Sequence, residues 1–120
     1  MTLGHQITTG TPDADAFRPF GDILAPPDGP GGRRQFGHWL KPTAALDLQC
    51  HLNTVAVSAL PLALDRMERH PHAAQIFLPL DVSRYLVTVM PADADGRPDP
   101  AGALSMLLPG TLGVVYRPGV

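Results

Sequence analysis

Fourteen prolines and twelve glycines are distributed along the 120 residues of the chain. Proline removes a backbone hydrogen bond wherever it enters a helix interior or a central strand, so the elements between the prolines must be short. Short apolar runs separated by proline and glycine are typical of antiparallel β-sandwiches and barrels, among them the jelly rolls. We therefore expect an all-β fold, an antiparallel barrel or jelly roll with minor helical content.

The predicted strands are short apolar or alternating segments. Tyr85–Met90 is nearly continuous in apolar and β-prone residues, which predicts a central buried strand over 84–90. His51–Val57 alternates polar and apolar residues, which suits a half-buried strand. Leu104–Leu108 and Thr111–Tyr116 are expected to form a hairpin around Pro109-Gly110. The other candidate strands are 17–24, where a short helix could lead into the strand, 36–40 and 75–80.

The length and composition predict a single domain spanning 1–120. A chain of 120 residues with 44% hydrophobic residues can bury a core of its own. Residues 1–16 are a polar lead-in, and the cluster of prolines and glycines in Ala25–Gly32 predicts a flexible surface loop over 25–35. No apolar run approaches the roughly 18–20 residues that a membrane helix needs, so we expect no membrane partner.

The charge argues against nucleic acid as a partner, and the cysteine content favours a reducing compartment. A formal net charge of −2, with a single lysine and scattered arginines, lacks the clustered basic face of a nucleic-acid-binding protein. The single cysteine, Cys50, cannot form an internal disulfide, which fits a reducing environment. The N-terminus lacks the basic and apolar regions of a secretory signal. We expect a cytoplasmic protein that does not bind nucleic acid.

The segment 66–79 concentrates ionisable and polar side chains and then enters an apolar strand. Glu68, His70 and Gln75 form the pattern Glu-x-His-x4-Gln. If residues 66–70 are extended, Glu68 and His70 project from the same face, because side chains on a strand repeat every two residues. A turn over 71–74 can return Gln75 to that face. The residues alone leave two interpretations open, a reactive site or a hydrogen-bonded strand end without function.

Met67-Glu68-Arg69-His70-Pro71, followed by Gln75, Phe77 and Pro79, resembles the central motif of the ureidoglycolate lyase family. Three further segments resemble the family in the right order, namely 17–23, 60–62 and 113–120. The resemblance covers residues 17–120 and is least clear over 28–45. It implies a cupin-like β-barrel. It also implies the cleavage of ureidoglycolate to glyoxylate and urea in allantoin and purine catabolism, the reaction of a carbon–nitrogen lyase of the amidine-lyase type. The family pattern continues into Trp-His-His-Pro where this sequence ends at Val120, so we expect a barrel that is incomplete at its C-terminus. Whether the shortened chain can catalyse the reaction without that segment stays open.

The resemblance also implies roles for individual residues. The cleavage is an elimination that needs a base for the hydroxyl proton, an acid for the departing nitrogen and a cation for the carboxylate. His70 is the expected acid–base residue, Glu68 either orients it or is itself the base, and Gln75 suits the urea end. Arg69 and Tyr116 are the expected substrate-binding residues. A regular strand would turn Arg69 away from its neighbours, which leaves a structural ion pair as its alternative, and Tyr116 could equally be a barrel-wall aromatic.

Glu68, His70 and Gln75 are also the candidate ligands of a divalent metal ion, which the resemblance implies to be nickel. The expected partners are a small ureide or carboxylate substrate and a second copy of the chain, since family members pair through their sheets. Two other functions stay open. One is a non-catalytic or truncated cupin module that binds a small carboxylate or sugar acid. The other is a different metal-dependent cupin enzyme, which the presence of only one histidine in the motif disfavours.

Overall fold

In the part of the chain that the structure describes, the fold consists of two three-stranded β-sheets with almost no helix. The computed structural model describes residues 4–40 and 48–120. In chain order its elements are β1 (Thr9–Gly10), α1 (Ala14–Phe17), β2 (Gly21–Leu24), β3 (Gln75–Phe77), β4 (Arg84–Val89), a 3₁₀ turn (Pro100–Gly102), β5 (Leu104–Pro109) and β6 (Gly113–Tyr116). The first sheet has the strand order β1–β5–β4 and the second has the order β2–β6–β3. The prediction of an all-β, cupin-like fold with minor helical content is confirmed.

The pairing is antiparallel except at one edge of the described sheets. β4 pairs with β5 over six positions, from Arg84 opposite Pro109 to Val89 opposite Leu104. β6 pairs antiparallel with both β2 and β3. β1 instead runs parallel to β5, with Thr9 opposite Ser105. The expected antiparallel architecture therefore holds for the long strands and not for the short strand at the edge of the first sheet.

The core lies between the two sheets. Its buried side chains come from alternate positions of β4, β5 and β6 and from α1, and they include Phe17, Val87, Val89, Met106, Leu108 and Val114. The carboxylate of Asp13 accepts a hydrogen bond from the N–H of Ala16 at 3.0 Å and so caps α1. This cap directs Phe17 into the core. Within the described residues no helix is long and apolar enough to cross a membrane.

The predicted hairpin of 104–108 with 111–116 is wrong, because β5 and β6 belong to different sheets. The N–H of Gly110 donates to the carbonyl of Ser83 at 2.9 Å, and a Cβ at Gly110 would lie 1.8 Å from the carbonyl oxygen of Val82. This close approach, possible only for glycine, holds the end of β5 against the start of β4. The chain then crosses to the second sheet. The strand predicted over 84–90 forms as β4, but the central strand of this sheet is β5, which is paired on both sides, so the central position expected for 84–90 is wrong.

Two other predicted strands do not form within the described residues. Residues 51–57 belong to a stretch without strand pairing, and Val57 is fully exposed. Residues 36–40 likewise form no strand and lie against the outer face of the second sheet. The alternation over 51–57 predicts an extended backbone, but a strand also has to lie alongside another strand, and residues 51–57 pair with none of the described strands. The sequence of residues 44–50 fits a strand or a helical turn equally well, and most of this segment lies outside the described residues.

The second sheet separates two depressions of the surface. Gln75 and Phe77 on β3 and Tyr116 on β6 line a cavity on its inner face. Ile76 and Val115, the neighbours in sequence, line a shallower groove on its outer face together with residues 33–37. The alternation of a β-strand thus assigns successive side chains of β3 and β6 to opposite faces.

Candidate active site

A cavity of about 420 Å³ opens beside the inner face of the second sheet. Its walls come from the segment 66–70, from β3 and β6, from the loop over 90–98 after β4, and from residues 119–120. The volume falls in the range of roughly 300–1,000 Å³ that is usual for small-molecule sites. All five side chains singled out in the sequence line this one cavity, namely Glu68, Arg69, His70, Gln75 and Tyr116.

The segment 66–70 reaches the cavity as irregular backbone. No strand is assigned to it, and all five consecutive residues from Arg66 to His70 line the cavity. A strand would have turned every second side chain away. Glu68 and His70 do converge, but not through the alternation of a paired strand. Arg69, which a strand would have directed to the opposite face, joins them.

Glu68 and His70 form a close acid–base pair. Oε2 of Glu68 lies 3.5 Å from Nε2 of His70, and the side chain of Glu68 is largely exposed. Nε2 of His70 is itself shielded from solvent and makes no hydrogen bond with any described residue. The contact of Nε2 with Glu68 is thus an ion-pair contact without hydrogen-bond geometry.

Gln75 and Tyr116 reach the cavity from neighbouring strands. They lie opposite each other in the register of β3 and β6, so their side chains leave the sheet on the same face. The ring of Phe77, two residues along β3, meets the ring of Tyr116 edge-on with centroids 5.4 Å apart. Sheet pairing and aromatic packing thus fix Tyr116 and Gln75 on a rigid wall opposite the irregular segment.

Burial controls the ionisation of Tyr116. Removal from water raises the pKa of its phenol to about 12, and the nearby Tyr85 contributes a smaller rise in the same direction. A phenol with such a pKa keeps its proton throughout the physiological range. Tyr116 can therefore donate a hydrogen bond to a ligand in the cavity, and it cannot serve there as a base.

Arg69 brings a positive charge to the cavity. Among the residues that the structure describes, no carboxylate forms an ion pair with Arg69. Its guanidinium lies beside the loop after β4, since a Cβ at Gly96 would be 3.8 Å from Nη1. The alternative of a structural ion pair has no support in the described residues, and a free guanidinium is suited to bind a carboxylate with two parallel hydrogen bonds.

Several residues of the cavity carried no signal in the sequence. Met90 contributes apolar wall, and Ala92, Gly96 and Pro98 contribute the loop after β4. That loop is ordered by Asp93, whose carboxylate accepts hydrogen bonds from the N–H groups of residues 95 and 97. Aspartates favour turns, but which surface this turn covers depends on the packing of β4 against the second sheet.

The donor atoms of the cavity only partly match a metal site. Glu68 and His70 offer a carboxylate and an imidazole, which suit nickel, manganese or zinc, and Gln75 offers a weaker amide oxygen. In residues 4–40 and 48–120 no group of three histidine, cysteine, aspartate or glutamate side chains is arranged to hold an ion. This donor set does not fit a tightly held ion by itself.

Comparison with known proteins identifies the family. The profile described as ureidoglycolate lyase matches residues 5–120. The ureidoglycolate lyase of Burkholderia cepacia is 39% identical over 119 residues, which cover 88% of this chain and 64% of that protein. That of Rhodobacter capsulatus is 42% identical over 93 residues, covering 71% and 57%, and that of a Chelativorans strain is 38% identical over 96 residues, covering 70% and 56%.

This chain thus spans less than two thirds of the length of each of these relatives. No solved structure matches it. The family profile covers nearly the whole chain, and it includes the segment 66–79 whose side chains meet in the cavity. The resemblance seen in the motif is confirmed, and the chain belongs to the ureidoglycolate lyase family.

Proposed function

We propose that this chain carries the reactive groups of a ureidoglycolate lyase, which cleaves ureidoglycolate to glyoxylate and urea in the degradation of allantoin. The observation that supports the proposal most is the pair of Glu68 and His70 in the cavity, with Nε2 of His70 3.5 Å from the carboxylate of Glu68. An imidazole can both take and return a proton near neutral pH, as an elimination requires. The names of the relatives supply the substrate.

The reaction can be written with His70 as the only proton carrier. Ureidoglycolate carries a hydroxyl, a carboxylate and a ureido nitrogen on or next to one carbon. Nε2 of His70 takes the hydroxyl proton as the carbonyl of glyoxylate forms and the carbon–nitrogen bond breaks. The imidazolium then returns that proton to the departing nitrogen, which gives urea. Glu68 lowers the energy of the transient imidazolium through its negative charge.

Substrate binding is proposed to use the remaining polar groups of the cavity. Arg69, free of ion pairs with described residues, would hold the carboxylate of the substrate. Gln75 can donate and accept, which matches the amide groups of the urea end. The protonated phenol of Tyr116 would donate a hydrogen bond to an oxygen of the substrate from the rigid wall of the second sheet.

We also propose a cytoplasmic homodimer. β3 is an edge strand of the second sheet, and Ile76, Leu78 and Leu80 on and after it are exposed. An apolar edge strand favours pairing with another chain. The exposed Cys50 makes no disulfide in the described residues, which fits a reducing compartment. A requirement for nickel stays a prediction of the resemblance.

The proposal is tested by glyoxylate release from racemic ureidoglycolate with the purified chain. His70→Ala should reduce the rate by about 10²- to 10⁴-fold, the usual contribution of a general acid–base residue. His72→Ala is the matched control, because His72 is exposed and does not line the cavity, and its rate should stay within about twofold of the unsubstituted chain.

The outcomes separate the candidate functions. Release that disappears in His70→Ala and persists in His72→Ala supports the lyase. The same assay with added nickel, and with a chelator, decides whether an ion is required. A folded chain that binds ureidoglycolate or glyoxylate without turnover would refute the catalytic proposal for this chain and favour a carboxylate-binding module. That second function is supported by Arg69, which lines the cavity and forms no ion pair with a carboxylate of the described residues.

A further inference from the structure

The main chain of His70 is attached to the turn formed by residues 117–120. The N–H of His70 donates to the carbonyl of Val120 at 3.2 Å, and the N–H of Gly119 donates to the carbonyl of His70 at 2.8 Å. His70 lies outside every described strand, so no sheet pairing fixes its position. These two hydrogen bonds are therefore the backbone contacts that set where its imidazole enters the cavity.

Hydrogen bonds of Arg117 stabilise this turn. The N–H of Val120 donates to the carbonyl of Arg117 at 3.4 Å, and Gly119 has a φ of 93°, in the left-handed region that favours glycine. Nε of Arg117 donates to the carbonyl of Pro19, and Nη1 donates to the carbonyl of Pro118 at 3.1 Å. One guanidinium thus joins the turn to the segment that precedes β2.

The backbone of Arg117 strengthens the same connection. Its N–H donates to the carbonyl of Phe20 at 2.9 Å, and Phe20 is buried in the core. The carbonyls of Pro19 and Phe20 therefore anchor the main chain and the side chain of one arginine. The turn is tied to the packed part of the molecule, whereas the segment 66–70 reaches the cavity without strand pairing.

We propose that Arg117 is a positioning residue for His70, a role whose kinetic consequence rests on the lyase function proposed above. A guanidinium is planar and donates in fixed directions, so it can hold two carbonyls at a set separation. The ammonium of lysine sits on a flexible stem and cannot reproduce that geometry. Arg117 does not line the cavity, so it acts through the turn and His70 and not on the substrate.

Amide hydrogen exchange, measured by NMR on the full chain, tests the structural half of the inference. In Arg117→Gln, exchange at the N–H groups of His70 and Gly119 should become about tenfold faster relative to those of Val87 and Met106 in the paired strands β4 and β5. Arg117→Lys should show the same increase in exchange at His70 and Gly119, and it replaces Arg117→Gln in the test if the glutamine variant does not fold. Unchanged exchange at His70 and Gly119 would overturn the proposal, as would an equal rise at all four amides.

Kinetics tests the functional half. Misplacing a reactive group by about 1 Å can cost about 100-fold, so Arg117→Gln should lower kcat by about 10- to 100-fold while KM changes by less than about threefold. Full recovery of kcat in Arg117→Lys would overturn the role of the guanidinium geometry. Arg18→Gln is the matched control, since it removes only an exposed pair with Asp15 at 2.7 Å, and it should change neither readout.

The two readouts separate this inference from the lyase proposal. If the unsubstituted chain releases no glyoxylate, the proposed function fails, and the exchange data still decide whether Arg117 positions His70. If turnover is present and kcat is unchanged in both Arg117 variants, the positioning role fails while the lyase function stands.

Discussion

Replacing Glu68 with glutamine removes the negative charge beside His70 and keeps the shape of the side chain. Oε2 of Glu68 lies 3.5 Å from Nε2 of His70, and 85% of the Glu68 side chain is exposed, so the charge acts through a medium close to water. Two unit charges at that separation attract by about 1.2 kcal/mol at a dielectric constant of about 80. Since about 1.4 kcal/mol corresponds to a tenfold change in rate, Glu68→Gln should lower kcat about sevenfold.

The assay is the initial rate of glyoxylate release over a range of ureidoglycolate concentrations, at low and at high salt. The difference in kcat between Glu68→Gln and the unsubstituted chain should shrink at about 1 M salt, because exposed charges are screened. Asp65→Asn is the control, since Asp65 is an exposed carboxylate that pairs with Arg66 at 3.6 Å and not with His70. It should leave kcat unchanged.

The size of the loss distinguishes two roles for Glu68. A loss of about 10²- to 10⁴-fold would refute the electrostatic account and make Glu68 the general base. No loss at either salt concentration would mean that the 3.5 Å pair has no part in the reaction.

Three further predictions follow from the cavity and the core. Arg69→Met should raise KM about 10- to 150-fold, because a hydrogen bond to a charged group contributes about 1.5–3 kcal/mol. The control Arg84→Met, at an exposed position, should leave KM unchanged in the same assay. Burial raises the pKa of Tyr116 to about 12, so the phenol ionises in the unfolded chain first as the pH rises above about 10. The free energy of unfolding should therefore fall between about pH 10 and 12, and it should fall less steeply in Tyr116→Phe. Urea titrations at pH 9 and 11 measure this difference. Phe17→Ala should lower the free energy of unfolding by about 3–5 kcal/mol, because Phe17 is fully buried, and Val57→Ala, at a fully exposed position, should change it by less than about 0.5 kcal/mol.

The part of the fold that was predictable from sequence depends on local patterns. Residues 84–90 are continuous in β-prone residues and form β4, and residues 75–80 begin with β3. The strand expected within 17–24 forms as β2 (Gly21–Leu24), whereas the short helix α1 (Ala14–Phe17) lies almost entirely before that segment. For these three strands the residues that favour the element are the residues that form it, and no distant partner is needed to recognise them.

What was not predictable from sequence depends on which strands meet. Pro109-Gly110 favours a turn, but a turn serves a hairpin and a crossing between sheets equally well. The deciding contact is that between Gly110 and the backbone at residues 82–83, which lie 27 or more positions earlier in the chain. The alternation over 51–57 fails for a related reason, because it describes a strand with one apolar face and says nothing about whether a neighbouring edge exists.

The candidate site also has features that the sequence predicted and features that it did not. The spacing of Glu68 and His70 predicted their convergence, but by way of a regular strand that is absent from this segment of the structure. The irregular backbone is what allows Arg69 to face the cavity as well, which strand periodicity forbids. Gln75 and Tyr116 are brought together by the register of β3 with β6, a pairing between segments about 40 residues apart that no local pattern reveals.

The two walls of the cavity should therefore respond differently to substitution. Gln75 and Tyr116 stand on paired strands, so their positions are stabilised by the same contacts that stabilise the fold. His70 is held by two hydrogen bonds to the turn at 117–120, and the side chain of Arg117 holds that turn. Substitutions in the core should lower the free energy of unfolding and leave kcat of the folded fraction intact. Substitutions in the turn should lower kcat with little effect on unfolding, because they displace the reactive group without removing apolar burial.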